Sequence, residues 1–74
     1  MPNYPVLSAK SFLKMLLCYG CAEISVKGSH HRVKNAINNK SSVVPVHGGQ
    51  DIKKALMLTI LEQLGIDADD FFHA

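Results

Sequence analysis

The residues with the most chemistry to offer stand in one short run, Lys27-Gly28-Ser29-His30-His31-Arg32. Histidine is the side chain whose ordinary pKa, about 6.5, suits proton transfer near neutrality. Ser29 adds a small hydroxyl donor. Lys27 and Arg32 flank the imidazoles with positive charge, and Lys34 follows two residues on. Gly28 permits the tight turn that such a run needs. A turn that carries imidazoles inside a cationic field can hold a phosphodiester and move protons on it. The same six residues also fit a charged β-hairpin with solvated histidines, so the surrounding chain must decide.

Two other groups could do chemistry. Cys18-Tyr19-Gly20-Cys21 is formally a Cys-x-x-Cys. A redox pair of that kind normally opens a helix, where the dipole lowers a thiol pKa. This one closes a helical pattern. Nothing repeats the spacing as a second ligand pair for zinc. Cys21 therefore reads as a small core residue and Cys18 as a partly exposed thiol. No cluster of Asp or Glu stands near the histidines to hold Mg²⁺, so neither metal nor cofactor is expected. His47, ahead of Gly48-Gly49, is a further imidazole on a flexible connection.

These residues need positioning elements. Met1 to Leu7, with Pro2 and Pro5, reads as an extended lead-in. Ser8 is a fitting N-cap. From Ala9 to Tyr19, Ala9, Phe12, Leu13, Leu16 and Leu17 recur near helical spacing with Lys10 and Lys14 opposite, and Gly20 suits the stop. Residues 22–27 alternate and predict a strand, with Ala22, Ile24 and Val26 on its apolar face and Glu23, Ser25 and Lys27 on the other. After the Gly28-Ser29 turn, His30 to Ala36 predicts a second strand. Its pleat puts His30, Arg32 and Lys34 on one face and His31, Val33 and Asn35 on the other. Residues 37–40 read as a turn, and Ser41 to Val46 as a third strand that Pro45 marks as an edge.

Ile52, Ala55, Leu56, Ile60, Leu61 and Leu64 then mark an amphipathic helix. Lys53 and Lys54 stand in its first turn, where cations oppose the helix dipole, which hints at an anion there. Gly65-Ile66 reads as its stop. Asp67 is placed to cap a last short turn through Phe71, and residues 67–74 form a tail. Phe71 and Phe72 are either core cover or a sticky end. The expected fold is an α+β two-layer sandwich, with two helices on one face of a three-stranded antiparallel sheet and the other face open.

Length and charge fit this plan. The 74 residues make one small domain, 1–74, with 47% hydrophobic residues, enough for a core. Net charge is +2, yet all eight Lys and Arg lie within residues 1–54, while residues 55–74 hold four acids and no Lys or Arg. Such separation suits a basic face for an anionic partner. No apolar run approaches the roughly 18 residues of a membrane span. Residues 15–21 are too short and too close to Lys14 for an export signal, so a cytoplasmic protein is expected.

In this order the motifs resemble the HicA toxin family of bacterial and archaeal toxin–antitoxin systems. The resemblance runs from about Ser8 to Ile66. It rests on Ser8-Ala9-Lys10, Leu16 and Gly20, Lys27-Gly28-Ser29-His30-His31, Val44-Pro45-Val46-His47-Gly48 and Ile60-Leu61-Glu62-Gln63-Leu64-Gly65-Ile66. It implies a double-stranded-RNA-binding-like α-β-β-β-α fold and messenger-RNA cleavage. It also implies a catalytic histidine at His30 supported by Gly28, and a HicB-type antitoxin that covers the site. Lys27, Ser29, His31, Arg32, Lys34, His47, Lys53 and Lys54 are the candidate RNA-binding or supporting residues. Cys21 stands where the family usually has a large aromatic. Leu17, Cys18 and Tyr19 replace residues that are usually polar. Ala55 stands where Gly is common, and Met57-Leu58 replaces a Leu-basic pair. These changes remove a basic residue and add apolar groups that would suit a buried partner interface.

The chemistry expected is metal-free. A neutral His30 would deprotonate a ribose 2′-OH for attack on its own phosphate. Lys27, Arg32 and Lys34 would stabilise the phosphorane charge, and His47 or His31 would be the conjugate acid. A non-catalytic RNA-binding module on the same fold, or an inactive partner-binding protein, are the competing readings.

Overall fold

The structure, a computed structural model, describes residues 3–73; Met1 and Pro2 of the lead-in and Ala74 of the tail lie outside the described residues. The elements in order are β1 (Leu7–Ser8), α1 (Ala9–Cys18), β2 (Cys21–Lys27), β3 (His30–Asn35), β4 (Ser41–Pro45), β5 (Asp51–Ile52), α2 (Lys54–Gln63) and α3 (Ala68–His73). The antiparallel sheet has the order β2-β3-β4, and β1 pairs antiparallel with β5 as a separate two-residue ribbon. The expected α+β sandwich is therefore present. The ribbon is an addition that two-residue strands cannot announce by periodicity. It takes Ile52 out of the predicted helix, which begins at Lys54.

Local chemistry explains the helix ends. The Ser11 N–H donates to Ser8 Oγ at 3.1 Å, closing the first turn of α1. At the far end of α2 the Ile66 N–H reaches the Leu61 carbonyl and the Gly65 N–H that of Glu62, a Schellman closure with Gly65 at φ +68°. A Cβ at Gly65 would stand 2.7 Å from Asn38 Nδ2, so space as well as backbone angle demands glycine. Asn35 and Asn38 both donate side-chain N–H groups to the Leu64 carbonyl, at 2.9 and 3.0 Å. The Asp70 N–H donates to Asp67 Oδ1 at 3.1 Å, so Asp67 opens α3 as expected, and the helix runs on to His73.

The core lies between the helices and one face of the sheet. Phe12 and Leu16 from α1, Val33 and Val44 from the sheet, and Met57, Ile60, Leu61 and Leu64 around α2 are its fully buried side chains. Burying such groups contributes about 1.5–3 kcal/mol each before entropy is counted. Cys21 is buried in the same cluster and Cys18 is exposed; both are free thiols, and burial pushes the Cys21 thiol above its usual range. Phe71 is core cover, edge-to-face on Phe12, while Phe72 stacks on Tyr4. No helix among the described residues is long and apolar enough to cross a membrane.

The predicted facing of β2 needs correction. Ladder register runs Cys21 to Asn35, Ala22 to Lys34 and Glu23 to Val33, then shifts, so that Ser25 pairs with Arg32 and Lys27 with His30. A bulge at Ile24 therefore interrupts the alternation. Glu23 falls on the helix-side face instead of beside Ser25 and Lys27, and Ala22 falls on the open side. Ile24 and Val26 are 50% and 51% exposed instead of buried.

Candidate RNA-cleaving face

The β2–β3 hairpin turns through Gly28 and Ser29, and only Gly28 has positive φ, +61°. A glycine at the first central position is the requirement of a II′ turn, which matches strand twist and fixes the register of everything after it. That register places Lys27 directly opposite His30.

The open face of β3 carries His30, Arg32 and Lys34 in a row. Their neighbours on β2 are Lys27, Ser25 and Ala22, and on β4 are Pro45, Val43 and Ser41. Directly opposed Cβ atoms in such ladders stand about 4.5–5.5 Å apart. An imidazole and three cations thus share one uncovered surface, with small or neutral side chains around them. His30 and Arg32 are exposed and Lys34 half-buried.

His31 belongs to the other face. It lies opposite Val26 and Val44, and its Nδ1 is 2.7 Å from Glu23 Oε1 across the bulge. It is the one contact between a basic and an acidic side chain at salt-bridge distance among the described residues, with side chains 22% and 35% exposed. His31 is therefore set apart from His30, Arg32 and Lys34.

His47 lies just past β4. The Val46 N–H donates to the Ser29 carbonyl at 2.7 Å, which ties this segment to the hairpin turn. His47 and Lys53 help line a hollow of about 310 Å³ at that end of the sheet, whose wall includes Pro45, the residue opposite His30. Lys53 is the N-cap residue of α2 and makes no side-chain cap bond; Lys54 follows as its first helical residue, exposed. Glu23, Gln50, Asp51 and Leu56 carry no signal in the sequence that marks them as functional. Glu23 has the pattern of a solvated strand residue, and the hollow is assembled from residues of α1, β4, β5 and α2 that are far apart in sequence. The apolar replacements Leu17, Tyr19 and Leu58 are exposed, whereas Met57 is core.

Residues 9–66 match the family described as HicA toxin of bacterial toxin–antitoxin. The chain is 36% identical over 55 residues to a protein of Pseudomonas fluorescens (strain Pf0-1) named probable mRNA interferase HicA, a span covering 74% of this chain and 88% of that one. No solved structure gives a match. The match takes in the first helix, the cationic hairpin, the Val-Pro-x-His segment and the Gly-Ile stop, and with it the chain belongs to the HicA toxin family.

Proposed function

We propose that this chain, a toxin endoribonuclease, cuts messenger RNA on the open face of its sheet with His30 as the proton-transferring group. The observation that carries the reading is the sharing of one uncovered surface by His30, Lys27, Arg32 and Lys34. The naming of the Pseudomonas relative as a probable mRNA interferase supports the substrate class.

Neutral His30 takes the proton of a ribose 2′-OH. The freed oxygen forms a bond to the adjacent phosphorus, and the bond from phosphorus to the 5′-oxygen breaks. The products are a 2′,3′-cyclic phosphate and a 5′-hydroxyl. Lys27, Arg32 and Lys34 stabilise the charge that grows on the phosphorane. The leaving oxygen takes a proton from His47, on the segment bonded to the turn, rather than from His31, whose Nδ1 meets Glu23 on the other face. The scheme uses no metal, and DNA is spared because it lacks the attacking hydroxyl. A HicB-type antitoxin inhibits by covering this face, and the toxin acts in the cytoplasm.

The test is incubation of labelled RNA with the protein in EDTA, wild type beside His30→Ala. Cleavage by wild type alone supports the scheme. Binding by both without cleavage by either turns the protein into an RNA-binding module. Neither binding nor cleavage leaves a partner-binding protein.

A further inference from the structure

The hollow beside the hairpin turn has the size, position and polar groups of a base subsite. We infer that it takes a guanine of the RNA strand whose phosphate lies at His30, an inference that rests on the RNA-cleaving reading above. Position comes first. Pro45 lies on its wall and directly opposite His30, and Val46 is hydrogen-bonded to Ser29. A nucleotide next to a phosphate at His30 therefore has its base within reach. At about 310 Å³ the hollow lies at the small end of ligand pockets, suited to one ring system and not to a length of strand.

Part of its wall is apolar, from Ala9, Pro45, Ile52 and Leu56. Ala9 and Ile52 are buried parts of the core, while Leu56 remains 37% exposed on the wall. A large apolar side chain left open to water beside a hollow gains by being covered.

Its polar lining includes one acceptor-only and one donor-only group, Asp51 and Lys53, beside His47 and Gln50, which can do either. Asp51 and Lys53 alternate with buried Ile52 along an extended stretch, so they stand on one side. They form no ion pair with each other or with another described residue. A carboxylate offers two acceptor oxygens and an ammonium offers only donors. Guanine is the base whose Watson–Crick edge sets two donors, N1–H and the N2 amine, beside the acceptor O6. Asp51 accepts the two donors and Lys53 donates to O6. Adenine N1 and cytosine N3 would turn a lone pair toward the carboxylate. Uracil offers one N–H between two carbonyls. The carboxylate charge also disfavours a phosphate in the same place.

The 5′-mononucleotides GMP, IMP, AMP, CMP and UMP share a phosphate, so differences among them report the base. Each is titrated into the full chain, with amide shifts followed at Ala9, Ile52 and Leu56. GMP should bind about tenfold more tightly than AMP, CMP or UMP, with IMP, which lacks the N2 amine, in between. In Asp51→Ala, checked for fold by circular dichroism, the preference for GMP should disappear. Mapped cuts in a random RNA pool should show guanine enriched at one fixed position for wild type and not for Asp51→Ala. Equal binding of all five nucleotides, shifts confined to other residues, or an undiminished guanine preference in folded Asp51→Ala would each overturn the subsite. If wild type cuts no RNA, the cleavage reading fails, while the titration still decides whether the hollow reads guanine.

Discussion

His30 and His31 are joined by one peptide bond and live on opposite sides of a sheet. His30 points out among Lys27, Arg32 and Pro45; His31 points toward the helices between Val26 and Val44, with a carboxylate on its Nδ1. Nothing in residue type distinguishes them. Strand parity does, and parity is set by a two-residue turn whose first position is a glycine at positive φ. Register alone therefore decides which of the two imidazoles stands among the cations. On the open face, charge without cover favours a charged ligand; on the helix face, cover turns the same residue type into a packing and bridging group.

The largest effects fall at the histidines themselves. His30→Ala should lower RNA cleavage by about 10²- to 10⁴-fold with an unchanged circular dichroism spectrum. His31→Ala should keep cleavage within a few-fold and instead lower the urea midpoint. Equal losses from both would merge the two faces into one site.

The next pair along the strand, Arg32 and Val33, also divides between the two faces. Val33→Ala, under the helices, should cost about 1–3 kcal/mol in urea unfolding. Arg32→Ala, one residue away, should cost little stability. It should reduce the slope of log affinity for RNA against log salt by about 1. A stability loss from Arg32→Ala as large as that from Val33→Ala would contradict the open face.

A smaller effect is expected at the bulge. Glu23→Ala removes the partner of His31 and should cost about 0.2–1 kcal/mol, since both side chains are partly solvated. Glu23→Gln keeps an acceptor for the imidazole N–H and should recover part of that loss in the same unfolding assay.

The smallest effect lies away from both faces. The Tyr4 hydroxyl donates to Asp69 Oδ1 at 2.5 Å, and that bond, with added burial and the nearby carboxylates, pushes the phenol up to about 12. The phenol is neutral while protonated, and the folded state holds its proton more tightly than the unfolded one. Its contribution is therefore complete below about pH 10 and fades as pH rises through about 12. In a Tyr19→Phe background, phenolate absorbance should titrate near 12, and Asp69→Asn should bring it back toward 10.

Most of the frame is legible in the sequence because regular elements repeat. Ser8 announces the start of α1, Gly65-Ile66 the stop of α2, and the pleat of β3 separates the two histidines. Asp67 marks the start of α3. What stays hidden depends on irregularity or on distant pairing. Alternation in residues 22–27 continues through Ile24, and no local residue declares the bulge that returns Glu23 to the helix side. Leu7–Ser8 and Asp51–Ile52 are too short for a period and gain identity only by meeting each other. The hollow is hidden with them, since α1, β4, β5 and α2 each supply part of its wall. For the site, the His30, Arg32, Lys34 and Lys27 grouping follows from parity and the turn, whereas Asp51 has the character of ordinary surface charge.

The Leu64 carbonyl, which receives side-chain amides from Asn35 and Asn38, has a consequence for how the chain folds. A helix usually closes its last turn with its own neighbours or with water. Here closure comes also from residues 29 and 26 positions earlier, on the strand and loop that precede β4. An isolated α2 lacks those donors and is too short to hold much helix alone. The Schellman bonds close the turn locally, and the Leu64 carbonyl gains its two amide donors only when the sheet exists. Sheet and helix therefore support each other at this point, the strand and its loop supplying the donors that the end of α2 lacks.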